Sequence, residues 1–183
     1  SLKRQFIRTI SRQTYFYCVA FHVTGNDSLL SYAKAGINYM QRFIQPNGLI
    51  YPYKTFEQNS YNPISANDSI HISTQDLAQV LYSFSFYYYL THDQAILDDI
   101  LKVKNYIFTT YTDTDGYLKW TLCDDFECPD YRTDLAAYLE QVNGYLLLLA
   151  PLIEDESIQQ SFLDELTFFH KINSFYLSNQ AKW

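Results

Sequence analysis

The 183-residue sequence carries 20 Asp and Glu against 13 Lys and Arg, for a net charge of −7. Phosphate binding requires a cationic face, so this balance argues against nucleic acid and against anionic membrane surfaces as partners. No helical membrane span is legible either: the longest apolar run, Tyr145 to Ile153, is interrupted by Pro151 and falls far short of the ~20 residues a bilayer needs.

Helical periodicity runs through the chain in order. The first helix is expected from about Lys3 to Val23, with Phe6, Ile10, Tyr17 and Phe21 on one side. From about Ser28, Leu29, Ala33, Ile37, Met40 and Ile44 mark a second helix. Leu77, Leu81, Phe84 and Tyr88 mark a third; Leu97, Ile100, Lys104, Ile107 and Tyr111 mark a fourth with one polar interruption. Leu135, Leu139, Val142, Leu146 and Leu149 are spaced 4-3-4-3, and Ile158, Phe162, Leu166, Phe169 and Ile172 continue the theme. Starts are signposted as well. Ser73-Thr74-Gln75-Asp76 reads as a capping box, and Asp27, Asp93 and Asp155 each precede a periodic run they can cap. The fold class that follows is all-α: three consecutive helical hairpins over about 3–44, 74–111 and 133–177, forming a single domain over 1–183.

An internal repeat organises these helices. A shift of 67 residues places Tyr15 on Tyr82, Thr24 on Thr91 and Asn38-Tyr39 on Asn105-Tyr106. Each unit reads as helix, tight turn, helix, Gly turn (Asn47-Gly48, Asp115-Gly116) and an aromatic strand-like loop. Hairpin turns are short, whereas the connections between units, about 45–72 and 112–132, are long and rich in Tyr, Asn, Asp, Ser and Pro. Both long connections emerge at one end of the array, where a ligand site is normally built. The 18 Tyr and 13 Phe residues suit such a site, because a Tyr ring packs while its hydroxyl faces water. Protein interfaces use the same property, and ordinary core packing also accounts for the excess.

Ser11-Arg12-Gln13-Thr14-Tyr15-Phe16-Tyr17, followed by Val23-Thr24-Gly25-Asn26-Asp27, resembles the opening of the N-acylglucosamine 2-epimerase family. That family includes cellobiose 2-epimerases and mannose isomerases. Asp76-Leu77-Ala78 leading to Tyr88-Tyr89-Leu90-Thr91-His92-Asp93 resembles its second unit, and Tyr138 to Tyr145 a third. The resemblance implies an (α/α)6 barrel of six hairpins, of which three would be about half, and the chain is accordingly expected to be a fragment of a larger protein. It also implies sugar isomerisation by proton abstraction next to a carbonyl, with a His as base. Arg12 matches a family Arg that contacts sugar oxygens. The sequence departs at Ala136-Ala137-Tyr138, where the family carries a His before the Leu-Glu pair (here Leu139-Glu140). The family's two principal catalytic His lie in the other half of the barrel. The chain alone is therefore expected to be incomplete or inactive, with catalytic residues unassigned.

The candidate substrate-binding residues are Arg12, His71, Gln75 and Glu140. His71 closes the first long connection; Gln75 and Glu140, with Asn143, flank the apolar stripes near the expected inner ends of their helices. His22, His92 and His170 read as structural. No two His stand at helical metal spacing, and Cys123-x4-Cys128 is not a zinc knuckle, so no metal and no cofactor is expected. The carboxylates around it (Asp124, Asp125, Glu127, Asp130) read as a solvated acidic loop or as a glycosidase acid and base. Three cysteines without a scaffold pattern, and no apolar leader after Lys3-Arg4, suggest a soluble cytoplasmic protein. The expected partners are a mono- or disaccharide and, because an open half-barrel exposes apolar surface, a second copy or a missing C-terminal half. Two alternatives stand beside the epimerase-like reading: a non-catalytic helical-repeat module that binds a protein partner, and part of an α/α-barrel glycoside hydrolase.

Overall fold

A computed structural model describes residues 4–57, 60–62, 72–112, 114, 118–122 and 145–167. The chain opens not on a helix but on a short strand, β1 (Arg4–Phe6), and α1 (Ile7–Thr24) and α2 (Asp27–Gln41) follow. Strands β2 (Tyr53–Glu57) and β3 (Ser60–Asn62) precede α3 (Thr74–Thr91) and α4 (Gln94–Thr110). The third unit is described as a short helix α5 (Leu147–Leu149), a 3-10 turn (Ala150–Leu152) and a helix α6 over 156–167. Among the described residues no helix is long and apolar enough to cross a membrane.

The first two hairpins, α1–α2 and α3–α4, stand as expected with the start of α1 corrected, whereas Leu135, Leu139, Val142, Phe169 and Ile172 of the expected third hairpin lie outside the described residues. Arg4 to Phe6 pair antiparallel with Tyr53 to Thr55, and β2 pairs antiparallel with β3, in the order β1-β2-β3. The Ile7 amide then donates to the Pro52 carbonyl oxygen at 2.8 Å, so the connection after α2 caps the start of α1. The expected stripe on α1 is corrected too. Ile7, Ser11, Thr14 and Cys18 are buried, whereas Phe6 is 48% exposed. α1 packs against both α2 and α3, and two close neighbours demand small side chains where they meet. Gly36 of α2 sits directly on Thr14: a Cβ there would overlap Thr14 Oγ1 and lie 3.1 Å from Thr14 Cβ. Cys18 packs as an inert core group, its thiol pushed up to about 12 by burial.

The repeat holds to the level of single hydrogen bonds. Thr24 Oγ1 donates to the Ala20 carbonyl oxygen and accepts from the Asn26 amide; Thr91 does the same with Tyr87 and Asp93. Gly25 (φ 67°) and His92 (φ 51°) each end a helix in the left-handed conformation. Asn26 caps α2 through the Ser28 amide, as Asp93 caps α4 through the Ala95 amide. Asn26 therefore takes the capping role expected of Asp27, which is the first helical residue. Ser73 accepts from the Asp76 amide and Asp155 from the Ile158 amide, both as expected. Beyond the outer helices, isolated antiparallel bridges join Ile44 to Ile50 and Thr112 to Leu118.

Candidate functional site

Contacts along α1 and α3 show that the two helices run parallel. Arg8 meets Asp76 at their N-terminal ends, Tyr15 meets Tyr82 midway, and His22 meets Phe86 and Tyr89 at the far end. These residues obey the 67-residue register: Arg8 and Gln75, Arg12 and Gln79, Tyr15 and Tyr82, Val19 and Phe86, His22 and Tyr89. Spaced 4-3-4-3, they form one stripe on each helix. Arg12 lies two residues, or roughly 200° of turn, from the α2-facing Thr14. The stripe thus faces away from the outer helices. It is charged and amide-rich at the N-terminal ends and aromatic towards the C-terminal ends.

A groove of about 270 Å³ lies along this stripe, lined by Ser11, Arg12, Tyr15, Gln79 and Tyr82. Its floor is tied by Ser11, whose hydroxyl donates to the Gln79 carbonyl oxygen and lies 3.2 Å from Ser83 Oγ. Its aromatic wall is Tyr15 against Tyr82 at 4.8 Å and 79°, with Phe86 edge-on to Tyr15 at 5.4 Å. Burial raises the Tyr15 hydroxyl above its ordinary value, and neighbouring Tyr82 adds to the shift. The Tyr15 phenol therefore stays protonated at neutral pH and can donate as well as accept.

The polar end of the stripe is pinned by the chain around it. Arg8 bridges to Asp76 at 2.5 Å and donates to Gln75 Oε1 at 3.4 Å. Asp76 is itself held by Ser73, whose hydroxyl donates to its carboxylate at 2.9 Å. Tyr111, wholly buried, donates to the Ile72 carbonyl oxygen at 2.9 Å, and the Thr74 amide donates to that of Trp120 at 2.9 Å. Both long connections are in this way fastened to the start of α3, beside the groove.

Of the four residues singled out from the sequence, the structure brings Arg12 and Gln75 to the same end of the α1–α3 stripe. Arg12 is exposed in the groove, and among the described residues its guanidinium makes no ion pair or hydrogen bond. Gln75 stands one turn before Gln79 and contacts Arg8. His71 and Glu140 lie outside the described residues, as do Asn143, Cys123, Cys128 and the carboxylates between 124 and 130. Sequence reasoning passed over Gln79, Tyr82 and Arg8, although the repeat that equates Arg12 with Gln79 was already visible. His22, read as structural, packs edge-on against Phe86 at 5.9 Å. Among the described residues, no group of three or more His, Cys, Asp or Glu could hold a metal ion.

No protein-family model matches the chain, and no curated protein matches it in sequence. Solved structures do match its fold. An inactive variant of an alpha-1,6-mannanase of Salegentibacter sp. HEL1_6, with two adjacent aspartates replaced by alanine and alpha-1,6-mannotetrose bound, has a TM-score of 0.71 at 13% identity. That match covers 92% of this chain and 47% of the mannanase. The unsaturated glucuronyl hydrolase of Bacillus sp. GL1 follows at 0.69 and 19%, covering 91% and 45%. A sugar epimerase from a ruminal bacterium gives 0.69 at 20%, covering 91% and 42%. The chain thus spans about half the length of the solved structures it matches, and its fold is that of a partial α/α toroid.

Proposed function

We propose that this chain is the saccharide-binding half of an α/α-toroid carbohydrate-active enzyme, with the α1–α3 groove as a sugar subsite. The observation that carries this reading is the exposed Arg12 guanidinium, without an ion pair or hydrogen bond among the described residues, set beside Gln79, Tyr15 and Tyr82 in one groove. A guanidinium stays charged and presents several fixed donors, suiting it to ring and hydroxyl oxygens. Tyrosine faces supply the apolar surface on which a sugar ring stacks. The epimerase-like motif around Arg12 and the sugar epimerase among the structural neighbours support isomerase chemistry in a longer parent. Titration with mannose, glucose, N-acetylglucosamine, N-acetylmannosamine and cellobiose tests the subsite. One sugar is expected to bind, and Arg12→Ala is expected to weaken it at least about tenfold, the loss of one charged hydrogen bond. Failure of every sugar to bind, or binding indifferent to Arg12→Ala, would sink the subsite.

A second reading, glycoside hydrolysis, is favoured by one observation. The inactive mannanase variant replaces two adjacent aspartates, and this chain carries an adjacent pair, Asp124-Asp125, in its second long connection. If that pair supplies an acid and a base, the protein releases reducing ends from alpha-1,6-mannotetrose, and Asp124→Ala or Asp125→Ala abolishes release at unchanged sugar affinity. Turnover that survives both substitutions removes this reading and leaves the subsite standing.

A further inference from the structure

At the end of the array away from the long connections, a cavity of about 410 Å³ opens between the short turns of the second and third hairpins. Leu97, Ile153 and Ile158 line its apolar side, and Tyr88, Glu154 and Asp155 its polar side. Nine residues of α3, or roughly 13 Å of helix rise, separate Tyr88 from Gln79 of the groove. Tyr88 is 6% exposed, its ring packs edge-on against His92 at 5.6 Å, and among the described residues its hydroxyl makes no hydrogen bond. Burial raises that hydroxyl above its ordinary value and Glu154 adds to the shift, as two groups sharing one cavity would. Glu154 likewise makes no ion pair or hydrogen bond among the described residues. Asp155 Oδ1 accepts from the Ile158 amide at 2.9 Å to cap α6, and its second oxygen takes no part in that bond. The hairpin frame requires neither Tyr88 nor Glu154 as such. The 67-residue register places Phe21 at the position of Tyr88, and alignment of the caps Asp93 and Asp155 places His92 at that of Glu154. Local charge is one-sided as well. From Tyr88 to Leu101 and from Tyr145 to Thr167 there is no Lys or Arg, and His92 faces Asp93, Asp98, Glu154, Asp155 and Glu156 as the one basic group. The N-termini of α4 and α6 offset only about one unit of that negative charge.

We propose that this cavity binds a primary ammonium carried on a short aliphatic stem. An ammonium has three N–H donors, and Glu154, Asp155 and the Tyr88 hydroxyl oxygen offer three acceptors around one cavity. Leu97, Ile153 and Ile158 enclose the stem, which shields the ion pair from water and strengthens it. A metal ion fits this donor set less well. Calcium takes roughly six to eight oxygens, and among the described residues no group of three or more His, Cys, Asp or Glu could hold a metal. A neutral sugar fits less well too, because it would desolvate Glu154 without supplying a counter-charge. The inference is independent of the sugar reading, since the cavity and the groove share no lining residue. A free amine and the lysine side chain of a partner present the same chemistry, and titration separates them.

Amide-shift titration of the 183-residue chain with n-butylammonium chloride tests the site, with n-butanol, Nα-acetyl-lysine methylamide and calcium chloride as the other titrants. n-Butylammonium is expected to bind saturably, to shift the amides around Tyr88 and Glu154, and to weaken as sodium chloride rises. n-Butanol should bind at least about tenfold more weakly, having lost the charge-assisted contacts. Glu154→Gln should weaken the ammonium at least about tenfold and Tyr88→Phe about three- to tenfold. Glu154 is exposed and the repeat already holds Phe21 at the place of Tyr88, so the helical circular dichroism of both variants should be unchanged. Acetyl-lysine methylamide binding as tightly as n-butylammonium supports the site with a partner's lysine as its source of charge; much weaker binding supports it with a free amine. Absence of saturable ammonium binding overturns the proposal, as do n-butanol binding equally well and affinity indifferent to either substitution. Calcium that binds there and excludes the ammonium assigns the carboxylates to a metal ion, and likewise overturns it.

Discussion

Lys104→Ala is expected to lower the unfolding free energy by about 3–5 kcal/mol at pH 8, the cost of leaving one member of a buried ion pair unpartnered. Lys104 of α4 is 1% exposed, and its Nζ lies 2.6 Å from Glu165 Oε1 on α6. It lies 3.4 Å from Ser161 Oγ and 4.9 Å from the centre of the Phe162 ring. This cluster joins the outer helices of the second and third hairpins, and the second carboxylate oxygen, Glu165 Oε2, is buried without a partner among the described residues. Burial pushes the Glu165 carboxyl up from 4.5 to about 7, outweighing the attraction of the ammonium. A folded value above the unfolded one means that the stability this group contributes is full below about pH 4.5 and is lost as pH rises through about 7. The Lys104→Ala deficit should follow the same direction, smaller at pH 5, where Glu165 is neutral, than at pH 8. Chemical denaturation at the two pH values reads this difference; an equal deficit at both would show that Glu165 does not titrate in the folded protein. The double variant Lys104→Met with Glu165→Leu should recover most of the loss, because a packed apolar pair needs no desolvated charge.

Gly48→Ala should destabilise the fold by about 2–4 kcal/mol, combining backbone strain at positive φ with overpacking. Gly48 has φ 94° and sits in the turn where Gln45 and Leu49 share a 2.7 Å backbone hydrogen bond. A Cβ there would press into the Lys102 carbonyl oxygen and come within 2.8 Å of Tyr106 Cβ. Backbone cannot step aside as a flexible side chain can, so the turn or α4 must shift. The turn leads to Pro52, which caps α1, and to β2, which pairs with β1. The loss should therefore appear in thermal melts and also as faster amide exchange at Ile7. Gly25→Ala provides the contrast: its φ is also positive, but nothing lies within 4 Å of its added Cβ. It should cost only the strain, about 1–2 kcal/mol. A Gly48→Ala melt no lower than that of Gly25→Ala would mean that the contact with α4 yields freely.

Helix positions and the repeat were legible because they depend on local physics. Apolar spacing named Leu77, Leu81, Phe84 and Tyr88 on α3, all buried, and caps such as Ser73 and Asp93 lie within three residues of the groups they satisfy. Lys104, noted only as a polar interruption in its stripe, marked a buried ion pair whose partner stands 61 residues away. The start of α1 was misplaced because the pairing that makes Arg4 to Phe6 a strand comes from Tyr53 to Thr55, across a whole hairpin. The α1 stripe was misassigned for a related reason. Hydrophobicity finds a helix with one buried side, but α1 is held between two neighbours through Ser11 and Thr14, whose small polar side chains carry no apolar signal.

At the groove the division is the same. Arg12, which lines it, and Gln75, one turn before Gln79, were singled out through a motif and a helix start, both readable along the chain. What the sequence by itself determined was an acidic, aromatic-rich chain of three hairpins, repeated at 67 residues, with long connections at one end. Only the tertiary structure decided which face of each helix meets its neighbour, that Arg12 lines one groove with Tyr15 and Tyr82, and that Phe16 and Tyr32 are exposed among the described residues. Periodicity specifies a helix and its apolar side through contacts a few residues apart. Which helix lies on the other side is settled by packing among groups some 67 residues apart, and no local pattern encodes that.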